Sequence, residues 1–120
     1  MLRVTDQTVQ LARRIYRRLQ DSPEPLKRAE LAGLVENPLM KQSTKERRVR
    51  EARAYLVSQG VAILSDGRGF RLAKTAKEYA DAIRLKEKAA VSALVEVAYL
   101  KRMKPKDYVK QILPFLEGAL

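Results

Sequence analysis

Apolar residues recur at helical spacing from the start of the chain. Val9, Ala12, Ile15, Tyr16 and Leu19 form one stripe, with Arg13, Arg14, Arg17 and Arg18 lying off it. Thr5 or Asp6 is placed to cap this first helix. Asp21-Ser22-Pro23-Glu24-Pro25 ends it, because proline fixes φ and removes a backbone donor. A single-residue strand contact is expected at Leu26, followed by a short helix whose apolar residues are Ala29, Leu31, Ala32, Leu34 and Val35. Glu36-Asn37-Pro38 closes that helix, and "LMKQ" is a linker. Ser43-Thr44-Lys45-Glu46 fits a capping box opening a helix to about Gln59, with Gly60 where a left-handed terminating residue belongs.

The pattern then changes. "VAILS" and "FRLA" are short β-rich runs on either side of Asp66-Gly67-Arg68-Gly69, a hairpin loop whose glycines permit positive φ. Thr75-Ala76-Lys77-Glu78 is a second capping box, and the helical pattern behind it continues to about Arg102, where Lys104-Pro105-Lys106 breaks it. "DYVKQILPFLEGAL" suggests one more short helix interrupted by Pro114. The expected order is helix, short strand, helix, helix, hairpin, long helix. This is a mainly α fold with a small β-hairpin (α+β).

Composition narrows the choice of function. Of 120 residues, 46% are apolar, enough for a core, while aromatics are 6% and Trp is absent, so the core should be aliphatic and alanine-rich. Cysteine and histidine are both absent, which excludes a disulfide framework, a Cys/His zinc site and serine–histidine or cysteine–histidine nucleophiles. No cofactor is expected. The longest apolar run, Ala89–Leu100, has twelve residues and includes Glu96, well short of the roughly twenty that a spanning helix needs. "MLRVTDQTVQLARR" lacks an apolar signal core. A soluble cytoplasmic protein is expected, nucleoid-associated or, if phage-encoded, in the host cytoplasm.

The charge is unevenly spread. Residues 1–74 carry 16 basic and 8 acidic side chains and residues 75–120 carry 9 and 6, so +8 of the net +11 lies in the N-terminal part. A polyanionic partner follows naturally. On a helical wheel of residues 43–58, Val49, Ala52 and Leu56 form the buried stripe. Opposite them fall Thr44, Arg47, Glu51 and Ala54, flanked by Ser43 and Arg50 on one side and Arg48 on the other. Small residues permit close approach to a major groove, and arginine pairs in bidentate fashion with guanine O6 and N7. Ser43, Thr44, Arg47 and Arg50 are therefore candidate base contacts. Lys41, Lys45 and Arg48, with Arg68 at the hairpin tip and Arg71 on its return strand, are candidate phosphate contacts. An ordinary solvated helix face has a similar composition. The basic hairpin directly behind the helix favours the groove-reading alternative.

"LVSQGVAILSDGRGFRLA" resembles the end of a winged helix-turn-helix domain. The shared pattern is a leucine, a glycine ending the recognition helix, a V-x-I strand, a G-x-G tip and an aromatic-x-leucine return strand. It occurs in the family that includes the N-terminal domain of the biotin operon repressor and small phage and prophage proteins. There an "RxVREA" helix precedes it and a "T-x-x-E" helix follows, here Arg47–Ala52 and Thr75–Glu78. The resemblance runs from Leu26 to the late 90s. It implies a winged domain over residues 1–74, a helical extension over 75–120, and binding to double-stranded DNA as a phage or bacterial transcriptional regulator or replication-accessory factor. This chain departs from the pattern in carrying Phe70 where tyrosine is commoner, and in the longer link Glu36–Gln42.

The long helix has an expectation of its own. Ten of the twelve residues in Ala89–Leu100 are apolar, with Ile83, Ala90, Leu94 and Val97 on one seam and Val91, Val95 and Ala98 on a neighbouring one. A helix apolar nearly all round needs burial by something more. Homodimerisation, assisted by Tyr108, Ile112, Leu113, Phe115 and Leu116, competes with packing on the first helix within one monomer. A protein-docking module acting on RNA polymerase or a replisome component is the alternative to DNA binding, since a fold does not fix function. Enzymatic activity is not expected. Glu78, Asp81 and Glu87 lie near one another on a helix, but such charges are usually surface ion pairs.

Overall fold

The structure is a computed structural model describing residues 4–120. It is mainly helical, with one two-stranded antiparallel hairpin and a long C-terminal helix: α1 (Asp6–Asp21), α2 (Arg28–Ala32), α3 (Gln42–Ser58), β1 (Ile63–Asp66), β2 (Gly69–Leu72), α4 (Ala76–Leu100) and α5 (Pro105–Ala119). The chain up to Ala82 forms one compact unit and Ile83–Leu120 a second, so α4 begins in the first and ends in the second. Among the described residues no helix is long and apolar enough to cross a membrane.

Thr5 caps α1, its hydroxyl accepting from the Thr8 N–H at 3.2 Å. The buried stripe of α1 is Thr8, Leu11, Ala12, Ile15 and Leu19. It is rotated from the expected one: Leu11 and Thr8 take the inner positions, and Val9 and Tyr16 are half-buried. Thr8 can be buried because its hydroxyl is hydrogen-bonded to that of Thr5 at 3.0 Å. The stripe meets Leu31 and Ala32 of α2, Val49, Ala52 and Leu56 of α3, and Phe70 and Leu72 of β2 in a single aliphatic core. At roughly 1.5–3 kcal/mol for each large side chain buried, this core is what holds the first unit together. The expected stripe of α3 is fully buried. Ala29, expected to face inward, is exposed.

The expected capping box at Ser43 does not form. A turn at Asn37 brings the chain into α3 earlier: the Asn37 carbonyl accepts from Met40 N–H and its side-chain oxygen from Leu39 N–H, both at 3.1 Å. Lys41 then occupies the N-cap with its carbonyl accepting from Thr44 and Lys45 N–H, so Ser43 is already helical and cannot cap. At the other end Gly60 behaves as expected. Its φ is +87°, Gly60 N–H donates to the Val57 carbonyl (2.9 Å) and Val61 N–H to that of Leu56 (3.0 Å), the paired closure of a Schellman motif.

The hairpin pairs Ile63 with Leu72, Leu64 with Arg71, Ser65 with Phe70 and Asp66 with Gly69, leaving Gly67 and Arg68 as a two-residue tip. The Asp66 carboxylate accepts from Arg68 N–H at 2.7 Å and stiffens that tip. The strand contact expected at Leu26 is present. Leu26 and Phe70 exchange two backbone hydrogen bonds of 2.8 Å, which ties β2 to the segment between α1 and α2.

At the start of α4 the second capping box is half made. The Thr75 hydroxyl accepts from Glu78 N–H at 3.1 Å, but the Glu78 carboxylate turns to Lys74 N–H and to Arg71. Tyr79 Oη donates to the Gly60 carbonyl at 3.0 Å, fixing this first turn to the end of α3. In the second unit α4 closes as α3 does, with Arg102 in the left-handed position (φ 57°). Lys104 then caps α5 and Pro105 stands in its first turn, so Pro105 starts a helix as well as ending one. Pro114 does not interrupt α5 as expected. The carbonyl deprived of a donor belongs to Lys110, an exposed residue that water reaches.

Gly69 has φ +136°, and a Cβ there would lie 2.5 Å from the Leu26 carbonyl oxygen. Gly67 has open space around it. Gly69→Ala should therefore destabilise the protein by about 2–4 kcal/mol and Gly67→Ala by no more than about 0.5 kcal/mol. Urea unfolding of the two variants measures the difference, and equal midpoints would remove the role given to Gly69.

Candidate nucleic-acid interface

The nine basic and hydroxyl residues singled out above divide into groups once folded. The outer side of α3 is open: Ser43, Arg47 and Arg50 are exposed, and Thr44 and Lys45 are half-buried. Lys41 is exposed at the N-cap, beside the free N–H groups of the first turn. Arg47 stands 3.9 Å from Glu51 one turn on, an exposed i,i+4 pair that holds it weakly. Arg50 has no ion pair or hydrogen-bond partner among the described residues, and Glu46, one turn before it, does not pair with it. Arg68 is exposed at the hairpin tip.

Two of the candidates are committed elsewhere. Arg48 lies on the flank of α3 that faces α1, where its guanidinium donates to Gln7 Oε1 at 2.8 Å. Its Nε is buried without a partner. The side chain also lines a hollow of about 270 Å³ bounded by Gln10, Leu11 and Arg14 of α1 and by Asn37 and Met40 of the α2–α3 link. Arg48 thus braces α3 against α1. Arg71 donates to the Glu78 carboxylate, joining β2 to the first turn of α4.

Two residues missed by the sequence reading belong to the same region. Arg53, on the flank of α3 opposite Arg48, lies with its guanidinium 3.9 Å from the centre of the Phe70 ring. Burial lowers its pKa, and the neighbouring charges of Arg28 and Arg50 lower it further. Arg53 was hidden because the wheel places it between the core stripe and the open face. Its partner is set only by the register of β2. Arg28 follows Leu26 by two residues, and the Leu26–Phe70 pairing is what brings it near.

No protein-family model, curated protein or solved structure matches the chain.

The hydrogen bond from Arg71 holds the Glu78 carboxyl below the usual carboxylate range, outweighing the opposite effect of its partial burial. A lowered carboxyl pKa makes a stability contribution that is full above the unfolded-chain value and is lost as pH falls through the folded one. The stability difference between the parent and Glu78→Gln should therefore shrink on acidification below the ordinary carboxylate range. In Arg71→Gln the Glu78 carboxyl should titrate at a higher pH, read by NMR of the side-chain carbon. An unmoved titration would dissolve the pair.

Proposed function

We propose that the chain binds double-stranded DNA through the open side of α3 and the hairpin tip, as a winged helix-turn-helix protein of phage or bacterial type acting in transcription or replication. The observation that carries this reading is the partition of α3. One side is sealed into the core by Val49, Ala52 and Leu56, while Ser43, Arg47 and Arg50 project into solvent with no strong acidic partner. A basic helix fixed in this way is preorganised for a groove. The order of helix, bridging strand, helix, helix and hairpin supports the winged-helix assignment. The mechanism is equilibrium binding, with Arg47, Arg50, Ser43 and Thr44 toward base edges and Lys41, Lys45 and Arg68 toward phosphates. Arg48 and Arg71 act in this reading by holding α3 and β2 in place.

Gel-shift titration at defined salt is the direct test. Arg47→Ala should lose about 1–3 kcal/mol on a selected site and relax its specificity. Arg68→Ala should weaken binding to all duplexes alike and flatten the salt dependence. Parental binding by both variants would show that the surface is misassigned.

A second reading, docking on a protein partner, is favoured by one observation. In the second unit Val91, Tyr99, Leu100 and Phe115 are 60, 66, 84 and 73% exposed, although the segment is apolar on most sides. On the DNA-binding reading the occupant of that surface is a second copy of the chain, which would present two α3 helices to one duplex. Light scattering should give a dimer at micromolar concentration, and Val91→Glu should return it to monomer. A parent that stays monomeric at high micromolar concentration, with weak and sequence-indifferent DNA binding, would transfer the case to the docking alternative.

A further inference from the structure

Arg53 lies near both Arg28 and Arg50 where three elements meet. Arg53 and Arg50 are three residues apart on α3, a spacing that makes them neighbours on a helix surface. Arg53 lies over the Phe70 ring, and Phe70 is backbone-paired with Leu26, two residues before Arg28 at the start of α2. None of the three guanidinium groups has a carboxylate or hydrogen-bond partner among the described residues. Like charges drawn together without an acid are unfavourable in an isolated molecule. Their mutual effect is visible in Arg53, whose protonated form is disfavoured by burial and by both neighbours.

The stacking defines what such a cluster accepts. A guanidinium donates its five N–H groups in its own plane. Packing one face on Phe70 fixes that plane while leaving the edge donors unused. A fixed planar edge beside two further cations suits a tetrahedral oxyanion whose oxygens accept two parallel hydrogen bonds. Phe70 is held by the β-bridge and is 93% buried, so the platform is rigid. This preorganisation separates Arg53 from the exposed arginines of α1, which have no such support.

We propose that Arg28 and Arg53, next to the base-contacting Arg50, form a phosphate-anchoring site that grips the backbone of the bound duplex beside the groove entered by α3. The inference rests on the DNA-binding reading, and it makes Phe70 a part of the interface as the seat of Arg53. It also gives a physical role to the aromatic residue of the return strand. The ring fills the core with one part of its surface and orients a cation with the rest.

The test uses the full chain with two probes, a fluorescein-labelled 20-bp duplex of random sequence and inorganic phosphate. Arg28→Gln, Arg53→Met and Arg17→Gln each remove one charge. Arg53→Met keeps an apolar side chain over Phe70, and Arg17→Gln, on α1, is the charge-matched control. Arg28→Gln and Arg53→Met should each weaken duplex binding about 3- to 10-fold and lower the slope of log K against log salt by about 0.9, the value for one lost phosphate contact, with Arg17→Gln near parental. Inorganic phosphate at low salt should shift the Nε–Hε NMR signals of Arg28 and Arg53 more than that of Arg17. Duplex binding by the parent with unchanged slopes in Arg28→Gln and Arg53→Met would overturn the anchor and leave the DNA reading standing. Equal losses in all three variants would also overturn it, because diffuse charge would then suffice. Phosphate shifts at the cluster with no duplex binding by the parent would keep the anion site and sink the DNA reading. Loss of both responses would sink both. Should Arg53→Met fail to fold, as judged by circular dichroism, the exposed Arg28→Gln carries the same comparison.

Discussion

Two backbone hydrogen bonds between Leu26 and Phe70 organise the first unit. A hairpin of two four-residue strands is not stable by itself in water. This one is held by a third strand contact on its return arm and by the burial of Phe70 and Leu72 against α1 and α3. The same contact dictates the backbone of Gly69, which lies against the Leu26 carbonyl at a separation no Cβ tolerates. It also determines which face of β2 looks inward, because a slip of one residue would exchange Phe70 and Leu72 for Arg71. The position of the hairpin relative to the helices is thus a consequence of a one-residue bridge.

That constraint sorts the arginines of α3 into distinct tasks. A helix buried along one stripe has two flanks and one open side. Here the flank toward α1 holds Arg48, bonded to Gln7, and the flank toward the hairpin holds Arg53, stacked on Phe70. Between these two flanks lies the open side, where Ser43, Arg47 and Arg50 face solvent. Residues of one type within seven positions therefore differ in chemistry. One is a brace with an unsatisfied Nε, one is a partly buried cation on an aromatic seat, and Arg47 and Arg50 are solvated cations. Counting charge along the sequence does not distinguish them.

What could be read from the sequence follows from this. The stripe Val49, Ala52 and Leu56, the stop at Gly60, the hairpin and the bridge at Leu26 were all legible, because each depends on local periodicity or turn chemistry. The rotation of the α1 stripe was not, because Leu11 and Val9 are equally apolar and only the partner surface chooses between them. Ser43-Thr44-Lys45-Glu46 points to a later start of α3 than the one found, because the Asn37 turn delivers the chain to Lys41 first. Gly60 and Arg102 end their helices in the same left-handed conformation, but only glycine advertises it. Pro114 misled because its cost is set by whether water can reach one carbonyl. At the site, the open face was legible from the wheel, while the Arg53–Phe70 contact depends on strand register and could be seen only in three dimensions.

The distribution of charge bears on how the two units would work together. A net charge of +11 opposes self-association of the chain. Between Lys88 and Lys101, however, the only charged residue is Glu96, so the apolar stretch of α4 is the part of the second unit least subject to that repulsion. On the proposed reading, a polyanion bound to the first unit would neutralise the dominant share of the positive field and lower the electrostatic cost of bringing two copies together. Binding and association would then be linked with the same sign, and by reciprocity a copy already paired would bind the polyanion more tightly. On the proposed reading, the exposed valines and leucines of α4 and the uncompensated arginines around Phe70 are two sides of one equilibrium. Each is unfavourable in the lone chain, and each is relieved by the complex that the other promotes.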